Sequence, residues 1–325
     1  MIRVAAVGTG YWGPNLARNL QQLGALALVC DVVPERAAEL AARLGVRSES
    51  DFGAVLADPG VDALVIATPV STHFDLARRA LEAGKHVFVE KPLALTSQDA
   101  QELVDLAGER ERTLMVGHLL HYHPAVTALD KLVEAGELGE LRHLRCIRFN
   151  LGKLRAEENV LWSFAPHDLS LTLRFVGREP ESVRAVGHKI LGTQREDIVY
   201  ADLDFGAVKG QVQVSWIDPI KQHQFMLIGT RRMAVFNDIL GEGKLRIYDR
   251  GFDPVDGILA IRDNPERWID LPPVEPMRAE LEDFLRCCQT GDEPLASGKD
   301  GVRVVRTLER ITAAMLAERE VAVGR

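Results

Sequence analysis

Gly8-Thr9-Gly10-Tyr11-Trp12-Gly13 sets three glycines at the G-x-G-x-x-G spacing, after the apolar residues 2–7 and before the amphipathic residues 14–23. At such a turn glycine allows the tight bend and brings main chain close to a pyrophosphate, which then meets the positive end of a helix. Tyr11 and Trp12 lie inside the same loop. Asp31, 18 residues beyond Gly13, ends the next apolar run, where a carboxylate can accept from the hydroxyls of an adenosine ribose. It would also repel a 2′-phosphate, so NAD is expected over NADP, although Arg36 nearby is a group that could accommodate that phosphate. Ala67-Thr68-Pro69 with His73, and Val89-Glu90-Lys91-Pro92, follow two further apolar runs. Open α/β sheets bind ligands at that strand edge, so Thr68, Pro69, His73, Glu90 and Lys91 are expected at the cofactor site. Lys91, before a proline, sits on extended backbone. Its ordinary alternative is a solvated surface lysine.

These loops need strands and helices to hold them. Apolar runs at 2–7, 27–30, 63–67, 86–89 and 114–116 alternate with helical patterns at 14–23, 34–44, 72–83 and 97–109. That alternation predicts parallel βαβ units in a doubly wound sheet. Beyond about residue 120 the pattern changes. Residues 208–216 alternate apolar and polar, as do Val199, Ala201, Leu203 and Phe205, and further strands are expected at 225–228, 233–236 and 245–248. Consecutive strands separated by turns predict a mostly antiparallel sheet, with closing helices at 277–288 and 301–318. The expected organisation is therefore α/β over 1–120 and α+β over 121–325.

Length and composition agree with two globular domains. The chain has 325 residues, 46% of them hydrophobic and 26% charged, with 39 Lys+Arg against 47 Asp+Glu for a net charge of −8. That balance argues against general nucleic-acid binding. Apolar stretches such as 63–67 fall far short of the roughly 20 residues of a membrane helix. Residues 1–7 carry no secretory signal pattern, so a cytoplasmic location is expected. Cys30, Cys146, Cys287 and Cys288 form no metal-binding or disulfide spacing, so buried thiols and no metal are expected.

The run Ala83-Gly84-Lys85-His86-Val87-Phe88-Val89-Glu90-Lys91-Pro92-Leu93-Ala94, with Gly8–Gly13 and 67–73, resembles the Gfo/Idh/MocA family of NAD(P)-dependent sugar oxidoreductases. The resemblance extends end to end. It implies an N-terminal Rossmann domain and a C-terminal domain with an open, mainly antiparallel sheet that binds substrate and mediates a homodimer or homotetramer. It also implies that Lys91 contacts the reacting sugar hydroxyl. Gly117-His118, Tyr122 and Pro124-Ala125 resemble the segment where the chain enters the second domain, which brings Tyr122 among the substrate contacts. The family's second catalytic position is a His in a D-x-G-x-H pattern at the start of a helix. Here the matching residues are Ser163-Phe164-Ala165-Pro166-His167, so the His is kept and the Asp is replaced by Ser163. A serine cannot act as a carboxylate base, which leaves acid–base work to His167 with Lys91.

Just before His167, Lys153 and Arg155 could meet a phosphate, and Asn159 could read sugar hydroxyls or an acetamido group. The ordinary reading of this stretch is a solvated loop. Together with Tyr11-Trp12-Gly13-Pro14-Asn15 it resembles members that oxidise C3 of a UDP-N-acetylglucosamine or its uronic acid. Two alternatives stand beside that expectation: a free polyol (inositol-type) or monosaccharide dehydrogenase, and a non-catalytic NAD-sensing protein on the same scaffold.

Overall fold

The computed structural model describes residues 1–152, 154 and 158–317. The chain divides into two compact units, Met1–Tyr122 with Val274–Arg306, and His123–Pro273 with the chain from Thr307.

In the first unit, β1 (Val4–Val7), β2 (Leu26–Cys30), β3 (Arg47–Glu49), β4 (Ala63–Ile66), β5 (His86–Val89) and β6 (Leu114–Val116) form a parallel sheet in the order β3-β2-β1-β4-β5-β6. Both faces are covered, which is why these strands read as unbroken apolar runs. One face carries Ala5, Val7, Leu64, Ile66, Val87 and Val89 into a core with α4 (His73–Glu82) and α5 (Ser97–Glu109). The other carries Val4, Ala6, Val65 and Phe88 into a core with α1 (Gly13–Gln22) and α2 (Pro34–Leu44). The chain stops α2 at Gly45, which takes the left-handed conformation (φ 69°) that a side chain would resist. β3 and α3 (Phe52–Ala57) were not expected.

The second core also takes in Met277, Leu281, Phe284 and Cys288 from α8 (Pro276–Thr290). Phe284 meets Phe88 edge to face, with ring centroids 5.8 Å apart. The continuous second domain expected over 121–325 is thereby corrected: residues 274–306 return to the first unit. The apolar stripe of α8 was legible, but a stripe does not say which sheet it covers.

The second unit begins with α6 (Pro124–Glu134) and β7 (Leu141–Leu151), followed by α7 (Val160–Val176). Then come β8 (Ser182–His188), β9 (Ile198–Phe205), β10 (Val208–Ser215), β11 (Ile217–Gly229), β12 (Met233–Asn237), β13 (Leu245–Val255) and β14 (Ile258–Ile269). Among the described residues these strands make one sheet in the order β14-β13-β12-β11-β7-β10-β9-β8, antiparallel except where β7 and β10 run parallel. The helix α7 packs on β7, β9 and β10, with Phe175 and Phe225 5.6 Å apart. The last helix, α9 (Gly298–Ala317), begins in the first unit and ends in the second. No helix among the described residues is long and apolar enough to cross a membrane. All four cysteines are buried and free.

If the returned helix completes the first core, Phe284→Ala should destabilise that unit by roughly 3–5 kcal/mol, the range for emptying a buried aromatic site. Hydrogen-exchange mass spectrometry should show faster exchange in β1, β4 and β5 while β9 and β10 keep wild-type protection.

Candidate active site

The strands of the first sheet end in register. Val7 pairs with Cys30 and Ile66, Ile66 with Val89, and Val89 with Val116. The residues that follow, Gly8, Asp31, Ala67, Glu90 and Gly117, therefore stand in a row along the carboxyl edge. Gly8 has φ +91°, and a Cβ there would lie 2.7 Å from the Ala67 carbonyl oxygen. A Cβ on Gly13 would lie 1.8 Å from the carbonyl oxygen of Gly8, whereas one on Gly10 would meet nothing within 4 Å. Gly8 and Gly13 thus close the turn, and Gly10 leaves its outer side open. Trp12 precedes α1 as its N-cap and gives no side-chain cap, so no capping side chain occupies the first N–H groups of that helix.

Asp31 anchors this loop. One carboxylate oxygen accepts from the Thr9 N–H (2.7 Å) and hydroxyl (2.8 Å), and the other from the Val33 N–H (2.9 Å). Burial works against its charge, but these bonds and the positive charge of Arg36 outweigh it and hold the carboxyl below its usual range. Arg36 is exposed, as is Tyr11. A turn with an open glycine, an uncapped helix start and an ionised acid at the end of β2 fits a dinucleotide carrying a diphosphate and a ribose diol.

Thr68 and Pro69 follow β4, and the Thr68 hydroxyl lies 2.7 Å from that of Thr72. His73 is 2% exposed, with Nδ1 2.8 Å from the Pro92 carbonyl oxygen and Nε2 2.9 Å from that of Thr68. Expected among the cofactor contacts, it instead ties the loop after β4 to the loop after β5. Burial is the main reason its pKa is lowered. Lys91 precedes a proline across a cis bond. The Glu90 carboxyl fits over Gly117, where an added Cβ would come within 3.1 Å of it. It accepts from the Trp12 side chain and the Lys91 N–H, yet burial pushes it up to about 7 against those bonds and the Lys91 charge.

In the second unit, His167 lies on α7 one turn beyond buried Ser163, and Pro166 interrupts that helix's hydrogen-bond ladder. The neighbouring Asp168 is 2% exposed and bound on both oxygens by Arg148, at 2.8 and 3.0 Å. It is unavailable as a substitute for the missing aspartate. Asn159 caps α7 by accepting from the Trp162 N–H (3.2 Å) and gives its amide to Glu196 (2.7 Å). The capping role is one the sequence did not announce. Tyr122, in the first unit, is 8% exposed and donates its hydroxyl to Asp283 at 2.7 Å, so it too is structural. Lys153 and Arg155 lie outside the described residues.

Comparison with known proteins places this architecture. The model of the oxidoreductase family, NAD-binding Rossmann fold, matches residues 2–118, and that of the GFO/IDH/MocA C-terminal domain matches residues 126–235. UDP-N-acetylglucosamine 3-dehydrogenase of Acidithiobacillus ferrooxidans is 34% identical over 326 residues, 97% of this chain and 98% of its own. The chain belongs to the Gfo/Idh/MocA family. A solved structure of the Acidithiobacillus enzyme matches with a TM-score of 0.85 at 32% identity, over 98% of this chain and 99% of that one. The scyllo-inositol 2-dehydrogenase (NAD(+)) of Bacillus subtilis is 28% identical over 92% of this chain and 90% of its own. As a Gfo/Idh/MocA protein the chain is an NAD-dependent oxidoreductase.

Two buried groups, one near Lys91 and one near Glu90, were not among the expected site residues. His118 is 1% exposed, neither ring nitrogen has a hydrogen-bond partner among the described residues, and burial pushes its pKa down to about 4. Glu280 occupies the apolar stripe of α8, a polar interruption that the helical spacing of Met277, Leu281 and Phe284 makes visible.

Gly13→Ala should abolish tight NAD binding, because the Gly8 carbonyl cannot yield to a methyl group without reopening the turn. Titration of NAD by quenching of protein fluorescence checks this; wild-type affinity would show that the turn does not hold the cofactor.

Proposed function

We propose that this protein is an NAD-dependent nucleotide-sugar dehydrogenase that oxidises the C3 hydroxyl of a UDP-N-acetylated hexose. The observation that carries the reading is the match to UDP-N-acetylglucosamine 3-dehydrogenase along almost the whole of both chains. It is supported by Lys91 standing at the carboxyl edge beside Gly8, Asp31 and Glu90, and by His167 at the position of the family's catalytic histidine.

In this reaction the Lys91 ammonium donates to the reacting hydroxyl and steadies the negative charge that grows on its oxygen. His167 takes the hydroxyl proton. Bound NAD would supply the hydride acceptor for the sugar carbon. The carboxylate of Asp31 receives the ribose hydroxyls and disfavours a 2′-phosphate, which supports NAD over NADP. Thr68 and Pro69 line the nicotinamide side of the same edge. Lys153 and Arg155 meet the diphosphate of the substrate. Energy from that remote handle orients the ring, so a sugar lacking it loses turnover as well as affinity. The second sheet serves as the oligomer surface, a role supported by the exposed Phe252, Leu259 and Ile261 on the outer β13–β14 ribbon.

The inositol dehydrogenase relative supplies the competing reading, a free polyol as substrate. NADH formation with UDP-N-acetylglucosamine, its uronic acid, glucose and myo-inositol separates the two. The nucleotide sugars are expected to turn over and the free polyols poorly; the reverse order overturns the proposal. With the active substrate, Lys91→Ala should lower kcat by roughly 100-fold or more while NAD affinity stays near wild type.

A further inference from the structure

Glu280 is a buried acid that the proposed reaction does not use. It is 1% exposed, and its Oε1 has no hydrogen-bond partner among the described residues. Helix α8 runs against the strand direction, because Asp283 accepts from Tyr122 beyond the end of β6 while Cys288, farther along the helix, neighbours Thr113 before the start of β6. The turn before Phe284 therefore lies toward the carboxyl edge, as Glu90 does. Glu90 lies two residues beyond Phe88 on the same face of the extended chain, and Glu280 lies four residues before Phe284 on the same face of α8. Each step spans about 6 Å, and Phe88 and Phe284 are in contact. The carboxyls thus approach one another, and the charge of Glu90 bears on Glu280.

Few other charges face this pair. Lys91 adjoins Glu90; His118 and Tyr122 come from the segment after β6, Asp283 from α8 and Asp300 from α9. His118 is neutral, and the Tyr122 hydroxyl is committed to Asp283. A buried carboxyl beside a half-buried carboxylate cannot ionise cheaply as well. Glu90 has the Trp12 side chain, the Lys91 N–H and the Lys91 charge to support its anion. Glu280 has none of these, and burial with the neighbouring Glu90 holds its carboxyl well above the usual range. The charge falls to Glu90 and the proton stays on Glu280.

We propose that Glu280 is a positioning residue for the redox reaction: a buried carboxylic acid whose retained proton steadies Glu90 as the anion that fixes the Lys91 ammonium. This role rests on Lys91 being the group that meets the substrate hydroxyl. Ionisation of Glu90 then sets an acid limb near neutrality, with activity rising as pH increases through it.

The test compares wild type, Glu280→Gln and Glu280→Leu by the pH profile of kcat/KM, using whichever sugar in the comparison above turns over. Infrared spectra of the NAD-saturated enzymes are taken at about pH 8, where ordinary carboxyls are ionised. Glu280→Gln keeps a neutral polar group and should keep the wild-type acid limb. Glu280→Leu keeps the bulk without the neutral polar group that steadies the Glu90 anion, so its limb should move to higher pH by about one unit and activity at neutral pH should fall by about tenfold. NAD affinity should be unchanged in both. Wild type should show the carbonyl stretch of a protonated carboxyl that Glu280→Gln lacks, a readout that stands even if Glu280→Leu fails to fold. A wild-type profile in Glu280→Leu, a limb moved to lower pH in Glu280→Gln, or no such infrared band in wild type would each overturn the role. Full turnover in Lys91→Ala would instead overturn the reading of Lys91 and leave the infrared band standing.

Discussion

Gly13 passes so close to the carbonyl oxygen of Gly8 that any side-chain atom there would lie 1.8 Å from it. That approach of main chain to main chain sets where α1 starts and which way its free N–H groups point. It also places Gly8 against Ala67, so the ends of β1 and β4 close up while Gly10 is left open. Asp31 completes the arrangement from β2, because a loop held only by glycines would have many conformations to lose. Two accepted hydrogen bonds from Thr9 join the turn to the second strand end, and a third from the Val33 N–H fixes the carboxylate on its own loop. A cofactor site of this kind is built from backbone, and the side chains at its rim then choose which dinucleotide it takes.

The charges of the two units are handled in different ways. In the second unit the half-buried Arg148 and the buried Asp168 meet in a two-pronged pair. Removing one partner of such a pair costs roughly 3–5 kcal/mol because the other is left buried and uncompensated. Asp168 is therefore bound to the fold although it adjoins His167. In the first unit burial raises Glu90 to about 7 and, with the charge of Glu90, holds Glu280 well above its usual range. The first arrangement gives rigidity, and the second gives a group that changes charge close to neutral pH.

The regular part of the first unit was legible because every signal agreed. Pro34 at the start of α2 and Gly45 after its end bounded it, and β5, α5 and β6 fell where apolar runs and helical spacing put them. β3 and α3 are too short to show a period. In the second unit α7 is buried nearly all round, so it lacks the polar face that marks a helix. The start of β13 was expected at 245–248; its remainder and β14 were recoverable in principle. Val255-Asp256-Gly257-Ile258 holds the Asp-Gly pair favoured in two-residue hairpins, and both residues adopt positive φ, 51° and 80°. At the site, the glycines, Asp31 and Lys91 stand where spacing put them, since the parallel strands end in one row. His73, Tyr122 and Asn159 each bond to protein partners that spacing did not name, because a residue type names the bonds a side chain can make and not its partner.

The return of residues 274–306 is the long-range fact that no local pattern could disclose, and it joins folding to chemistry. Phe284 is in contact with Phe88 in the strand that presents Glu90 and Lys91. The same face of α8 carries Glu280 among Met277 and Leu281, where an apolar residue of equal size would remove the cost of burying an unpaired polar atom, about 1–3 kcal/mol. A carboxylic acid at that point weakens the core it belongs to. Packing alone gives no reason for it, whereas the need for one ionisable carboxyl beside Lys91 and a neutral group behind it does. The helix that closes the core of the first sheet is therefore also the element that sets the electrostatics at that sheet's carboxyl edge.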